Sequence, residues 1–118
     1  MGAPVAHFEI VSKDPARLIT FYGELFGWSI GDSPTPGYSM VDTEAEPTAV
    51  SAGIGATPDP DGPTGVTVYM RVDDVQGYVD KAVKLGGRLI VEPMDLPDGY
   101  GRIAVVADPD GNPVGLWA

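Results

Sequence analysis

Sliding the first half of this 118-residue chain forward by sixty places lays His7 on Thr67, Asp14 on Asp74, Leu25 on Leu85 and Gly27 on Gly87. In each half an apolar strand-like run leads to an aspartate suited to cap a helix. An apolar stripe at spacings of three and four follows, and a glycine stops it. Repetition at a fixed period must be weighed before any fold is named, because it implies copies of one supersecondary unit. The competing reading is an unrelated α+β domain whose halves agree because strand, helix and glycine is a common order.

The first copy reads as a strand from Val5 to Val11, then Asp14 as N-cap with Pro15 at the first helical position. Leu18, Phe21, Tyr22, Leu25 and Phe26 form the helical stripe up to Gly27. Trp28 to Ile30, Tyr38 to Val41 and Ala49 to Ile54 read as three short strands. "ATPDPDGPTG", Ala56 to Gly65, is rich in turn formers and reads as a linker. The second copy comprises a strand at Val66 to Val72 and a helix at Asp74 to Leu85 stopped by Gly86-Gly87, with strands at Arg88 to Glu92, Arg102 to Ala107 and Val114 to Trp117. The turn "DPDGN", Asp108 to Asn112, joins the last two. The expected organisation is a single domain, 1–118, with module 1 at 5–55, a linker at 56–65 and module 2 at 66–118.

Twelve prolines and sixteen glycines suit many short elements joined by tight turns and argue against a helical bundle. A net charge of -10 repels phosphate backbones and anionic lipid, so no nucleic-acid partner is expected. No apolar run approaches the roughly 20 residues of a membrane helix, and Met1 to Ala6 lacks the regions of a secretory signal, so no membrane association and a cytoplasmic location are expected. The absence of cysteine excludes disulfides, thiolate metal sites and cysteine nucleophiles. No GxGxxG, phosphate loop, GxSxG or HExxH pattern occurs, so nucleotide cofactors are not implied.

The segments "HFEIVSKDPARLITFYGELFGW" and "RIAVVADPDGNPVGLW" carry a resemblance that spans nearly the whole chain. With Phe21, Tyr22, Leu25, Phe26, Gly27 and Trp28 in order, and the turn at Asp108 to Asn112, the chain resembles the vicinal oxygen chelate superfamily of glyoxalase I, bleomycin-resistance proteins and extradiol dioxygenases. The resemblance implies an α+β fold of two tandem βαβββ modules forming curled mixed sheets around a cavity. It also implies a homodimer, since the first strand of each module tends to be an edge that must be paired or covered.

In metal-dependent members of that superfamily, ligands come from the first and last strands of each module. His7 matches the first ligand position, but the others fall on Ala52 or Gly53, Thr67 and Gly115. Three protein ligands are usual even at an open catalytic site, and glycine and alanine side chains donate nothing. The expectation is therefore no metal and no cofactor. A divalent metal on His7 and Glu9, with Glu92 as a third group, remains the alternative.

Alternation along the first strand puts His7, Glu9 and Val11 on one face and Phe8 and Ile10 on the other. Alternation in the second module puts Thr67, Tyr69 and Arg71 on the equivalent face. A cavity holding an imidazole, a carboxylate, a phenol and a guanidinium suits a small polar organic molecule. His7 and Glu9 are the candidate catalytic residues, as proton carriers. A satisfied histidine at a strand end explains His7 equally well, and for Arg71 a structural ion pair with Glu9 is favoured. Tyr38, Met40, Thr67, Tyr69, Arg71, Glu92 and Arg102 are the candidate ligand-binding residues. The stretch "MDLPDGYG" before Arg102 has the composition of a flap. The function expected is binding of a small organic molecule between the modules. The alternative is a glyoxalase-like lyase or isomerase, or a related metal-dependent enzyme, using His7 and Glu9, with Arg71 or Tyr69 steadying an oxyanion.

Overall fold

The computed structural model describes residues 2–32, 37–43, 50–57, 59 and 61–118. Eight strands and two α-helices follow in the order β1 (Val5–Ser12), α1 (Pro15–Phe26), β2 (Ser29–Asp32), β3 (Tyr38–Asp42), β4 (Ser51–Ala56), β5 (Gly65–Arg71), α2 (Val75–Lys84), β6 (Arg88–Asp95), β7 (Arg102–Ala107) and β8 (Pro113–Trp117). The architecture is α+β, with βαβββ occurring twice, as the repeat predicts. The chain divides into two compact units, His7–Thr67 and a second made of Val68–Ala118 with Met1–Ala6. No helix among the described residues is long and apolar enough to cross a membrane.

In the His7–Thr67 unit the strand order is β2-β3-β4-β1. β1 runs parallel to β4, and β3 is antiparallel to both β2 and β4. Asp14 caps α1 by accepting from the Arg17 N–H at 3.3 Å, Pro15 fits the first turn, and Gly27 closes the helix in the left-handed region. Only part of the apolar stripe of α1 turns inward, and Phe21, Leu25 and Phe26 stay exposed. Leu18, Ile19 and Tyr22 pack with Phe8, Trp28 and Ile30 on the buried cluster of Ile10, Val41, Ala52 and Ile54.

In the second unit the order is β5-β8-β7-β6, with β5 and β8 parallel and the remaining pairs antiparallel. Val75 and Val79 of α2 meet Val72, Ala104, Val106 and Leu116 in its core. Asp74 caps α2 through the Gly77 N–H at 3.1 Å, repeating the device of α1. The helix stop differs by one place. Here Gly86 takes the positive φ of 100°, while Gly87 is needed because a Cβ on it would lie 2.5 Å from the Ala107 carbonyl.

Element boundaries depart from the sequence reading in places with physical causes. The predicted start of β4 at Ala49 lies outside the described residues, and its end extends to Ala56. Ala56 and Gly65, assigned to the linker, belong to β4 and β5. β6 continues through Pro93, where it was expected to stop at Glu92, because the register shifts between Val91 and Met94 and a bulge spares the missing N–H. The "MDLPDGYG" stretch is a closed hairpin, with the Leu96 N–H on the Gly101 carbonyl at 2.7 Å and a 3-10 turn at Pro97–Gly99.

Candidate functional site

Because Phe8 and Ile10 are drawn into the core beneath α1, alternation turns His7, Glu9 and Val11 to the opposite face of the sheet. Register places Ser51, Gly53 and Gly55 of β4 directly beside those three. From the other side of β4, Tyr38 pairs with Gly55 and Met40 with Gly53. One face of the unit therefore carries His7, Glu9, Tyr38, Met40 and Ser51 around a lane of glycine.

The glycines allow a contact that the strand order would otherwise prevent. β3 and β1 are separated by β4, a lateral distance of about 9–10 Å. The Tyr38 ring lies across the bare backbone of Gly53 and Gly55. A Cβ on Gly55 would approach the ring to 2.7 Å, and one on Gly53 would overlap its hydroxyl end. The phenol thereby reaches His7, its oxygen 2.7 Å from Nε2. The Ser51 hydroxyl takes the other ring nitrogen, 2.6 Å from Nδ1. Burial pushes the His7 pKa below its ordinary 6.5, so the ring is neutral at pH 7, with one N–H and one lone pair.

The candidates of the second unit occupy several settings. Tyr69 is buried, with its ring against Gly115, where any Cβ would overlap it. The Arg71 guanidinium lies over the Trp117 ring, 4.2 Å from its centroid, a cation–π contact. Trp117 is itself tethered by its indole N–H to the Tyr100 carbonyl at 2.8 Å. Arg102 lies 3.7 Å from Asp95 with both side chains more than half exposed, a pair of little energetic weight. Glu92 is exposed on β6, and Thr67, the last residue of the His7–Thr67 unit, is half-buried on β5.

Sequence reasoning missed Ser51 and Trp117 as partners, and it treated Gly53 and Gly115 only as absent ligands. The signal available was "SAGIGA", where small residues alternate with core residues. Among the described residues, few side chains able to hold a metal stand at the positions that the resemblance aligns with ligands. Both His7 nitrogens have hydroxyl partners, and tyrosine rings fill the space above Gly53 and Gly115. Among the described residues no three His, Asp or Glu side chains gather as a metal requires.

The model of the Glyoxalase/Bleomycin resistance protein/Dioxygenase superfamily matches residues 5–116. The protein named "Putative glyoxylase CFP32" of Mycobacterium tuberculosis is 36% identical over 117 residues, covering 92% of this chain and 43% of that protein. The anthracycline biosynthesis protein DnrV of Streptomyces peucetius is 33% identical over 130 residues, covering 98% of this chain and 46% of that protein. The chain thus spans less than half the length of these curated relatives. Among solved structures, the Bacillus halodurans hypothetical protein BH1468 matches with a TM-score of 0.68 at 14% identity, over 99% of this chain and 94% of that one. The methylmalonyl-CoA epimerase of Mycobacterium tuberculosis matches with a TM-score of 0.65 at 18% identity, over 96% of this chain and 85% of that one. These structures share the fold. On the family match over residues 5–116 and the duplicated βαβββ order, the chain belongs to the Glyoxalase/Bleomycin resistance protein/Dioxygenase superfamily.

Proposed function

We propose that this protein binds a small organic molecule on the sheet face carrying His7, Glu9, Tyr38, Met40 and Ser51, without a tightly held metal. The observation that carries the reading is the pair of hydroxyl partners on His7, which engages both nitrogens a metal would use. A face with few, placed polar groups beside Met40 and an aromatic ring has the composition of a ligand site. The same reading takes the protein as a cytoplasmic homodimer.

A second reading is a glyoxalase-like lyase or isomerase. It is favoured by the lowered pKa of His7, which leaves an unprotonated base at neutral pH, and by the glyoxylase name of the mycobacterial relative. Glu9, half-buried across Gly53 from Met40, is the other candidate base.

The test combines thermal shift against a library of small organic molecules with metal analysis of the purified protein. The expected result is at least one saturable stabilising compound whose effect falls in His7→Ala, with zinc, nickel, manganese and iron all well below one equivalent. Stoichiometric metal that is lost in His7→Ala overturns the metal-free reading. Once a compound is found, its turnover by the natural protein but not by Glu9→Gln selects the enzymatic reading.

A further inference from the structure

The tripeptide Pro-Asp-Gly occurs three times in this chain, ending at Gly62, Gly99 and Gly111, and Asp-Gly occurs nowhere else. An aspartate precedes two of the copies, as Asp59 and Asp108. Each of these holds its turn twice. Its carboxylate accepts the N–H of the next aspartate, Asp61 at 3.0 Å and Asp110 at 2.9 Å, and its carbonyl accepts the N–H of Gly62 at 2.7 Å and of Gly111 at 2.9 Å. In the third copy Leu96 stands in that place, and a leucine side chain accepts nothing. That turn closes one residue later, with the Tyr100 N–H on the Pro97 carbonyl at 3.3 Å. Asp98 sits at φ 56° and ψ 30°, the one non-glycine residue of positive φ among the described residues. Among those residues no hydrogen bond holds its N–H or its carboxyl.

We infer that Asp98-Gly99 is a modification site, where the aspartate isomerises spontaneously to isoaspartate severalfold faster than at Asp61 or Asp110. The Gly99 nitrogen attacks the side-chain carboxyl carbon of Asp98, forming a C–N bond while the carboxyl hydroxyl leaves with the amide proton as water. The five-membered succinimide then takes up water at either carbonyl. Opening at the main-chain carbonyl routes the backbone through the side-chain methylene, with the formula unchanged and no oxidant or reductant. The attack brings the carboxyl carbon onto the next nitrogen, an approach that glycine's missing Cβ eases and a clamp on the aspartate's N–H hinders. All three aspartates are exposed, so exposure does not single out Asp98. The absent clamp and the left-handed backbone do, and the added methylene releases the chain from that disfavoured conformation. It enters two residues before Tyr100, whose carbonyl holds the Trp117 indole N–H at 2.8 Å.

The inference is independent of the ligand-binding reading above. Its test incubates the protein at 37 °C and pH 6 and maps isoaspartate by mass spectrometry with electron-transfer fragmentation, which places the extra main-chain methylene at a named residue. Isoaspartate is expected at 98 severalfold above the level at 61 and 110, and an equal or lower level at 98 overturns the inference. In concentrated urea no turn remains, and the three levels are expected to converge. A preference that survives there puts the cause in the local sequence and overturns the inference as well. Leu96→Asp supplies the missing clamp and is expected to bring the level at 98 down to that of the other two, while the reverse exchange, Asp108→Leu, is expected to raise the level at 110. An unchanged level at 98 in a Leu96→Asp variant that keeps the circular dichroism of the natural protein, or no rise at 110 in Asp108→Leu, overturns the role of the clamp.

Discussion

The Tyr38 hydroxyl meets Nε2 of His7 at 2.7 Å across an intervening strand. The contact exists because β4 carries glycine at the two places the ring crosses. Residues 31 positions apart in sequence are thus joined by the absence of two side chains between them.

Gly53→Ala should break that contact. The added methyl has no space beneath the phenol, so a loss of about 1–3 kcal/mol is expected, as for other overpacked positions. Urea denaturation of Gly53→Ala, Tyr38→Ala and the double variant checks it. The alanine at 53 should cost much less once the ring is gone, and an equal cost in both backgrounds would refute the collision.

His7 makes stability depend on pH in a defined direction. Its folded pKa lies below 6.5, so as pH falls the unfolded chain takes up the proton first. The contribution is full above pH 6.5, declines as pH falls through that value, and levels off below the folded pKa. Thermal melts of the natural protein and His7→Gln at pH 7.5 and 5.5 should diverge, the natural protein losing more on acidification.

Arg71 and Trp117 should couple. Guanidinium over indole at an exposed site is worth about 0.5–1 kcal/mol. A double-mutant cycle of Arg71→Met and Trp117→Leu by chemical denaturation should return a coupling of that size. A value near zero would mean the two side chains only lie close together.

The duplicated caps should behave alike. Asp14 and Asp74 each accept from the N–H three residues on, at 3.3 and 3.1 Å. Asp14→Ala and Asp74→Ala should each cost about 1 kcal/mol, measured by denaturant melts. A marked inequality would show that one helix is held chiefly by packing.

Much of the fold was legible because its signals are local. The caps at Asp14 and Asp74, the stripe through Leu18 and Tyr22, and the alternation of Phe8 and Ile10 with His7 and Glu9 depend only on residues a few places apart. Tyr38 and Met40 were read from alternation alone, and register places them on the His7 face. Boundaries slipped where a local signal was overruled, as at Pro93, which ends a strand by propensity yet sits in one by means of a bulge.

The amino-acid order by itself determined the duplicated βαβββ plan, the face His7 and Glu9 occupy, and the poverty of metal donors at the matching positions. The first two follow from periodicity and side-chain chemistry, which act over one or two turns of chain, and the third is what the resemblance to the superfamily implies. Tertiary structure decided what His7 touches. Ser51 and Tyr38 lie 44 and 31 residues away, and only the parallel register of β1 with β4, together with the glycine lane that admits the phenol, brings their hydroxyls to the imidazole. Strand register is settled by the packing of whole sheets, so no short stretch of sequence contains it.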